Sequence, residues 1–173
     1  MASLTVSNLE NQINLYQHTP GFQLHWREGS RTALGTGEQD LLLLIEEPTA
    51  QKYRRVTGLY HFAIVFPNRR ELARAVARLF SLQVRNYPTD HIQTKTTYLD
   101  DPEGNGIELY AESPVDGVMG IRDGSFFAFR ADGNPSDGRE PLDAVNLNVW
   151  LICFAHRRSA ASPILHHPPH SAI

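Results

Sequence analysis

At 173 residues, 41% of them hydrophobic, the chain is long enough to bury a core of its own, and one domain with room for two similar halves is expected. A net charge of −3 and a pI near 6.2 exclude the basic surface of a nucleic-acid binder. The single cysteine, Cys153, excludes an intrachain disulfide, no signal-peptide pattern is visible and no apolar run is long enough to cross a bilayer, so the sequence predicts a cytoplasmic protein without membrane partners.

In chain order, Leu4-Thr5-Val6 predicts a strand, and Ser7 or Asn8 supplies a helix N-cap. Leu9, Ile13, Leu15 and Tyr16 then recur at near-helical spacing until Pro20-Gly21 stops the helix. Residues 22–26 alternate, 31–34 suit a strand, 41–45 suit a buried strand, and 46–55 form a polar connector. A second strand over 59–65 precedes a helix over 70–82, with Leu72, Ala75, Val76, Leu79 and Phe80 on one face. Further strands are expected at 83–86, 94–100 and 106–111. Between the last two lies a tight turn in which Pro102 presets the backbone and Gly104 and Gly106 are free to take positive φ. The pattern is strand-helix-strand-strand-strand, twice.

Superposing Asn8 on Asn68 sets Met1 opposite His61, and superposing the strand ends near Pro48 and Pro114 sets Leu43 opposite Glu108. Residues 115–143 are rich in Gly and Asp around one apolar knot, Phe126-Phe127-Ala128-Phe129. Past a short apolar stretch at 149–154, the Ser/Pro/His end with His166, His167 and His170 lacks a rigid frame for a metal and is expected to be poorly ordered.

Two residues stand out. His61 and Glu108 each sit among apolar neighbours, at the opening and closing strands of the second half. A carboxylate on an apolar strand is costly to bury without a partner, and a metal ion is one good partner. One His and one carboxylate form part of the facial triad of a non-haem Fe(II) centre, and equally part of a Ni or Zn site. The plain alternative is a core histidine bonded to a carbonyl and an edge glutamate in water. Trp26, Tyr60, Phe62 and His25 are further candidates, for the wall of an aromatic-binding cavity, while Arg54-Arg55 and Arg69-Arg70 read as solvated faces.

Gly58-Leu-Tyr-His-Phe-Ala-Ile64, Thr89-Asp-His91 and Tyr98-Leu-Asp-Asp-Pro-Glu-Gly-Asn-Gly-Ile-Glu-Leu-Tyr110 resemble the vicinal oxygen chelate superfamily, which includes glyoxalase I, extradiol dioxygenases and bleomycin resistance proteins. Leu4-Thr-Val-Ser-Asn-Leu9, Tyr16 and Pro20-Gly-Phe22 resemble the opening of its first module. The likeness is to the amino-terminal half of the catechol-2,3-dioxygenase-like branch; it covers residues 1–114 and thins out by Leu142. It implies an α+β fold of paired βαβββ modules forming a cupped mixed β-sheet, with modules at 1–56 and 57–114 and an extension and tail over 115–173. It also implies a homodimer acting on a small aromatic or vicinal-oxygen substrate.

Carried over residue by residue, the resemblance makes His61 and Glu108 ligands of a divalent metal, Fe(II) or Mn(II), with His91 as acid/base and Tyr98 as partner of a developing oxyanion. His91 fits the family spacing less well than Tyr98. Two positions depart from the pattern: Met1 stands where dioxygenases carry a third ligand, and Leu43 where glyoxalase I carries a glutamate. The expected activity is a metal-dependent extradiol ring cleavage. The alternatives are a metal-free binding protein of the bleomycin-resistance kind and a glyoxalase-like lyase.

Overall fold

A computed structural model describes residues 1–50 and 59–142. The predicted connector from residue 51 onward, Arg54-Arg55, and the tail with its three histidines lie outside the described residues.

The first strand, β1 (Ala2–Val6), leads into helix α1 (Leu9–His18) through Asn8, whose backbone is extended (φ −143°, ψ 106°) and whose side chain accepts the Asn11 N–H. Asn68 does the same before α2 (Arg69–Ser81), accepting the Glu71 N–H at 3.1 Å. Each asparagine thus satisfies one of the free donors of a helix start. The sequence repeat aligned on these two residues is therefore a repeat of cap chemistry. Strands β2 (Gln23–Glu28), β3 (Arg31–Thr36) and β4 (Gln39–Glu46) complete a four-stranded sheet of order β1-β4-β3-β2, with β1 parallel to β4.

The second half repeats this plan. Strand β5 (His61–Val65) runs parallel to β8 (Gly106–Glu112), which pairs antiparallel with β7 (Thr94–Asp100), which pairs with β6 (Tyr87–Asp90). The strand expected at 83–86 is displaced to 87–90. Its predicted residues instead close α2: Gln83 adopts φ +56°, its N–H donates to Phe80, and the Val84 N–H donates back to Leu79. That is the six-to-one and five-to-two pattern that ends a helix through a left-handed residue.

Strand alternation decides which residues face the core. Ile107, Leu109 and Ala111 of β8, with Leu99 of β7 and Phe62 and Ile64 of β5, pack with the apolar face of α2 in one continuous core. The same core takes Leu4, Val6, Leu34, Leu42 and Leu44 of the first sheet and Leu9, Ile13 and Tyr16 of α1. Glu108, one residue out of phase with Ile107 and Leu109, is thereby turned to the opposite face.

Pairing supports the module alignment independently. Ser3, Leu43 and Ala33 are partners across β1, β4 and β3, as Ala63, Glu108 and Tyr98 are across β5, β8 and β7. The first module thus places Leu43 and Ala33 where the second places Glu108 and Tyr98.

The turn between β7 and β8 locks the halves together. Asp101, only 5% exposed, accepts the Glu103 and Asn105 N–H groups at 2.8 Å each, the Asn105 side chain at 2.8 Å, and the Tyr16 hydroxyl at 3.3 Å. Glu103 in turn accepts the Ser7 N–H and hydroxyl at 2.9 and 2.7 Å. Gly104 takes φ +86°, as the turn predicts. Gly106 does not; its constraint is space, because a Cβ there would lie 2.6 Å from the Tyr60 carbonyl and 3.0 Å from the His61 Cβ.

Beyond β8 the chain is more regular than its composition suggests. A single turn at Pro114–Asp116 leads into a hairpin of β9 (Gly117–Arg122) and β10 (Ser125–Arg130), the latter holding the phenylalanine knot. The chain then returns as β11 (Glu140–Pro141), pairing with β6 and giving the second sheet the order β11-β6-β7-β8-β5. Arg69, read from sequence as a solvated charge, binds Asp116 and Ser113 and so ties α2 to this extension.

Asp101→Ala leaves two backbone N–H groups of the turn without their acceptor, and is expected to destabilise the protein by about 3 kcal/mol; Tyr16→Phe is expected to cost about 1 kcal/mol. Urea unfolding midpoints measure both, and equal small shifts would show that Asp101 does not organise the turn.

Candidate functional site

The side of the second sheet that the core alternation leaves out of the apolar cluster carries a continuous chain of polar contacts. The His61 Nε2 lies 2.9 Å from the Glu108 Oε2. The other oxygen of that carboxylate accepts the Tyr98 hydroxyl at 3.0 Å, and the Tyr98 oxygen lies 3.0 Å from the His91 Nε2. The far nitrogen of His91, Nδ1, is 2.7 Å from the Gly138 carbonyl. Four residues singled out from the sequence, on three strands and at the end of a fourth, therefore form one relay.

Strand register builds this arrangement. Glu108 is the direct partner of Tyr98 across β7 and β8 and of Ala63 across β5 and β8. His61 lies two residues before Ala63, on the same face by the period-two rule. The glutamate side chain is 17% exposed and that of His61 30%. A carboxylate this enclosed needs its lone pairs occupied, and the two neighbours occupy one oxygen each.

Donor roles follow from chemistry. A carbonyl only accepts, so the His91 Nδ1 carries the hydrogen that Gly138 receives. The Tyr98 hydroxyl has one hydrogen and two neighbours able to accept it, Glu108 and the His91 Nε2. Burial, then the hydrogen bond and charge of Glu108, push the Tyr98 phenol up to about 12, so Tyr98 stays protonated and a donor near neutrality.

Beside this chain is a cavity of about 220 Å³ lined by Tyr60, His61, Tyr87, Tyr98 and residues at the β7–β8 end, among them Asp100 and Gly106. The His61 ring stands edge-on to the Tyr60 and Tyr98 rings, at centroid distances of 5.0 and 5.8 Å. His61 and Tyr98 thus meet the cavity, while His91 sits behind Tyr98 and reaches it through the Tyr98 hydroxyl. Of the four residues suggested for an aromatic wall, only Tyr60 is part of it. Phe62 packs on Tyr16 in the core, and His25 and Trp26 both bind Asp40 on the first sheet, at 2.6 and 2.9 Å. Those two hydrogen bonds, from Trp26 and then His25, hold the Asp40 carboxyl below the usual range. Tyr87 and Gly138 were not foreseen: Tyr87 carried only the signal of an aromatic before a Pro, and a backbone carbonyl leaves no signature in sequence.

The donor atoms of His61 and Glu108 converge as neighbouring ligands of one ion do, since bonds of about 2.1 Å at right angles put two donors about 3 Å apart. They fit as part of a site. Among the described residues no group of three or more His, Cys, Asp or Glu side chains comes together. Among the described residues the buried His61 Nδ1 has no hydrogen-bond partner of the kind that ordinarily orients a metal-ligating imidazole.

Comparison with known proteins bears on the family and the fold. Residues 1–109 match the model of the Glyoxalase/Bleomycin resistance protein/Dioxygenase superfamily. A catechol-2,3-dioxygenase of Bacillus subtilis (strain 168) is 40% identical over 128 residues, which are 72% of this chain and 45% of that protein. The chain thus spans less than half the length of this relative. Among solved structures, a glyoxalase/dioxygenase from Nostoc punctiforme is similar with a TM-score of 0.56 at 18% identity, over 65% of this chain and 88% of that one. A lactoylglutathione lyase from Agrobacterium tumefaciens gives 0.51 at 18% identity, over 64% and 90%. At such identities the structures bear on the fold alone.

The raised phenol has a consequence for stability. With its folded value above the ordinary phenol value, Tyr98 contributes stability that is complete below pH about 10 and is lost as pH rises toward about 12. Urea midpoints measured across that window are expected to fall more steeply for the wild type than for Tyr98→Phe; parallel curves would show that Tyr98 ionises as it does in the unfolded chain.

Proposed function

Because the chain belongs to the glyoxalase/bleomycin resistance protein/dioxygenase superfamily, we propose that its second module is the metal-holding, proton-handling part of an extradiol ring-cleaving dioxygenase acting on a catechol-type substrate. The observation that carries this reading is the convergence of the His61 Nε2 and the Glu108 Oε2 at 2.9 Å, with Tyr98 on the remaining carboxylate oxygen. Identity to a catechol-2,3-dioxygenase supports it.

His61 and Glu108 would hold a divalent ion, Fe(II) or Mn(II), with further ligands from water, from outside the described residues, or from a second copy in a homodimer. When bound, such an ion supplies Lewis acidity toward two vicinal oxygens of the substrate. Tyr60 and Tyr87 offer aromatic walls for a planar ring. A proton leaving a substrate hydroxyl passes to the Tyr98 oxygen as Tyr98 passes its own to the His91 Nε2. The imidazolium so formed keeps its Nδ1–H on Gly138 and returns the proton by the same route. A neutral phenol is a poor free base, so its gain of the substrate proton and its loss of its own to His91 are concerted.

A second reading, a metal-free cleft that binds an aromatic molecule and releases it unchanged, is favoured by one specific observation. Only two metal donors converge among the described residues, and the first module offers Met1 and Leu43 at the positions of His61 and Glu108. Leu43 also weighs against a glyoxalase-like lyase.

Anaerobic loading with Fe(II), metal analysis and oxygen uptake with catechol separate these readings. Near-stoichiometric metal in the wild type and its loss in Glu108→Ala are expected. Tyr98→Phe is expected to lower kcat by about 10²-fold or more through the lost proton relay and to weaken metal by no more than about 10- to 100-fold. A wild type that retains no metal and returns its catechol intact would leave the binding reading standing.

A further inference from the structure

We infer that His91 is aimed at Tyr98 by a dedicated device, made of the Asp90–Lys95 ion pair and the strand β11 extension, which fixes its Nδ1–H tautomer and leaves its Nε2 free to accept. The role of His91 as the far end of the proton relay rests on the reading above; its orientation does not.

The turn carrying His91 is strained. Ile92, next in sequence, has φ +65° and is 1% exposed. A β-branched residue rarely adopts that backbone, and it persists only where its surroundings enforce it. Here both polar groups of Ile92 are clamped. Its N–H donates to the Asp90 carboxylate at 2.7 Å, and its carbonyl accepts from the Lys95 ammonium at 3.0 Å. Lys95 and Asp90 are themselves paired at 2.6 Å, with side chains 3% and 7% exposed. A buried lysine is tolerated only when its donors are filled, and Asp116 accepts from it at 2.6 Å. The pair thus clamps both sides of the residue that follows His91.

The extension completes the device from outside the region matched by the family model. Glu140 pairs with Asp90 across β11 and β6, so the carbonyl two residues earlier, on Gly138, arrives at the His91 Nδ1. Gly138 has φ +73°, and a Cβ there would stand 3.0 Å from the Phe126 ring. This carbonyl is held by side chains as well as by pairing. Glu140 binds both Arg130 and Ser136, and the Ser136 hydroxyl accepts the Gly138 N–H at 3.1 Å. Arg130 also faces Asp90 at 3.8 Å, joining the two halves of the device. Asp90, Lys95, Arg130 and Glu140 are positioning residues, since none of them lines the cavity.

The tautomer is measurable without metal or substrate. Long-range ¹H–¹⁵N spectra of the full-length protein, at a pH about two units above the ordinary imidazole value, report which ring nitrogen carries the hydrogen, and His91→Gln assigns the signals. The expected result is Nδ1–H for wild-type His91, and a shift toward the Nε2–H form in Glu140→Gln and Arg130→Met. Arg130→Lys, which keeps the charge, is expected to keep most of the wild-type tautomer. An Nε2–H tautomer in the wild type overturns the inference, as does an unshifted Nδ1–H form in both releasing variants. Because the wild-type spectrum alone can overturn it, the inference survives as a test even if a variant fails to fold. Failure to bind metal or cleave catechol would count against the proposed function and leave these spectra unchanged.

Discussion

Everything around the site answers one requirement, that a carboxylate on the open face of a sheet be given partners for both oxygens. Glu108 is where it is because Ile107 and Leu109 must face the core, and strand alternation admits no third choice. Once there, it draws His61 from the parallel neighbour and Tyr98 from the antiparallel one. Parallel pairing on one side and antiparallel on the other is what brings a residue at the start of β5 and one in the middle of β7 to the same carboxylate. The topology of the βαβββ unit thus determines the chemistry available to it.

The first module shows the same architecture relieved of that requirement. Its corresponding face carries Leu43 and Ala33, and the polar cluster of His25 and Trp26 on Asp40 lies elsewhere on the sheet. The two halves nevertheless depend on each other. Asp101, in the turn between β7 and β8 of the second module, takes a hydrogen bond from Tyr16 of the first, and burial with the Asp101 charge keeps that phenol far up and in the donor state. One half holds the His61–Glu108–Tyr98 chain while the other braces the turn on which its register depends.

How much of this was legible follows the range of the interactions. The caps at Asn8 and Asn68, the core faces of both helices (except Phe80, which is exposed) and the β7–β8 hairpin are local patterns, and the sequence displays them. The convergence of His61 with Glu108 is not local; the repeat made it legible by marking both positions. The displaced β6 was missed because Gln83 and Val84 are consumed in closing the helix, through a left-handed Gln83 that lacks the usual glycine signal. The place of His91 behind Tyr98 was illegible because it depends on a carbonyl 47 residues away. The order in residues 115–142 was masked by composition, since glycines and aspartates that read as loop are here the turn and ion-pair residues of a hairpin and a returning strand.

That returning strand governs how the second sheet can grow. β11 covers β6 for only two residues, and the second of them, Pro141, has no N–H to offer a further strand, while Glu140 is already engaged by Arg130 and Ser136. This margin is blunted against self-templating and fibre-like stacking. The opposite margin, β5, has no such proline, and its exposed Val65, with Tyr60 just before the strand, leaves it the more adhesive side. A strand recruited to this sheet at β5 would therefore lie beside His61, which opens that strand and also lines the cavity.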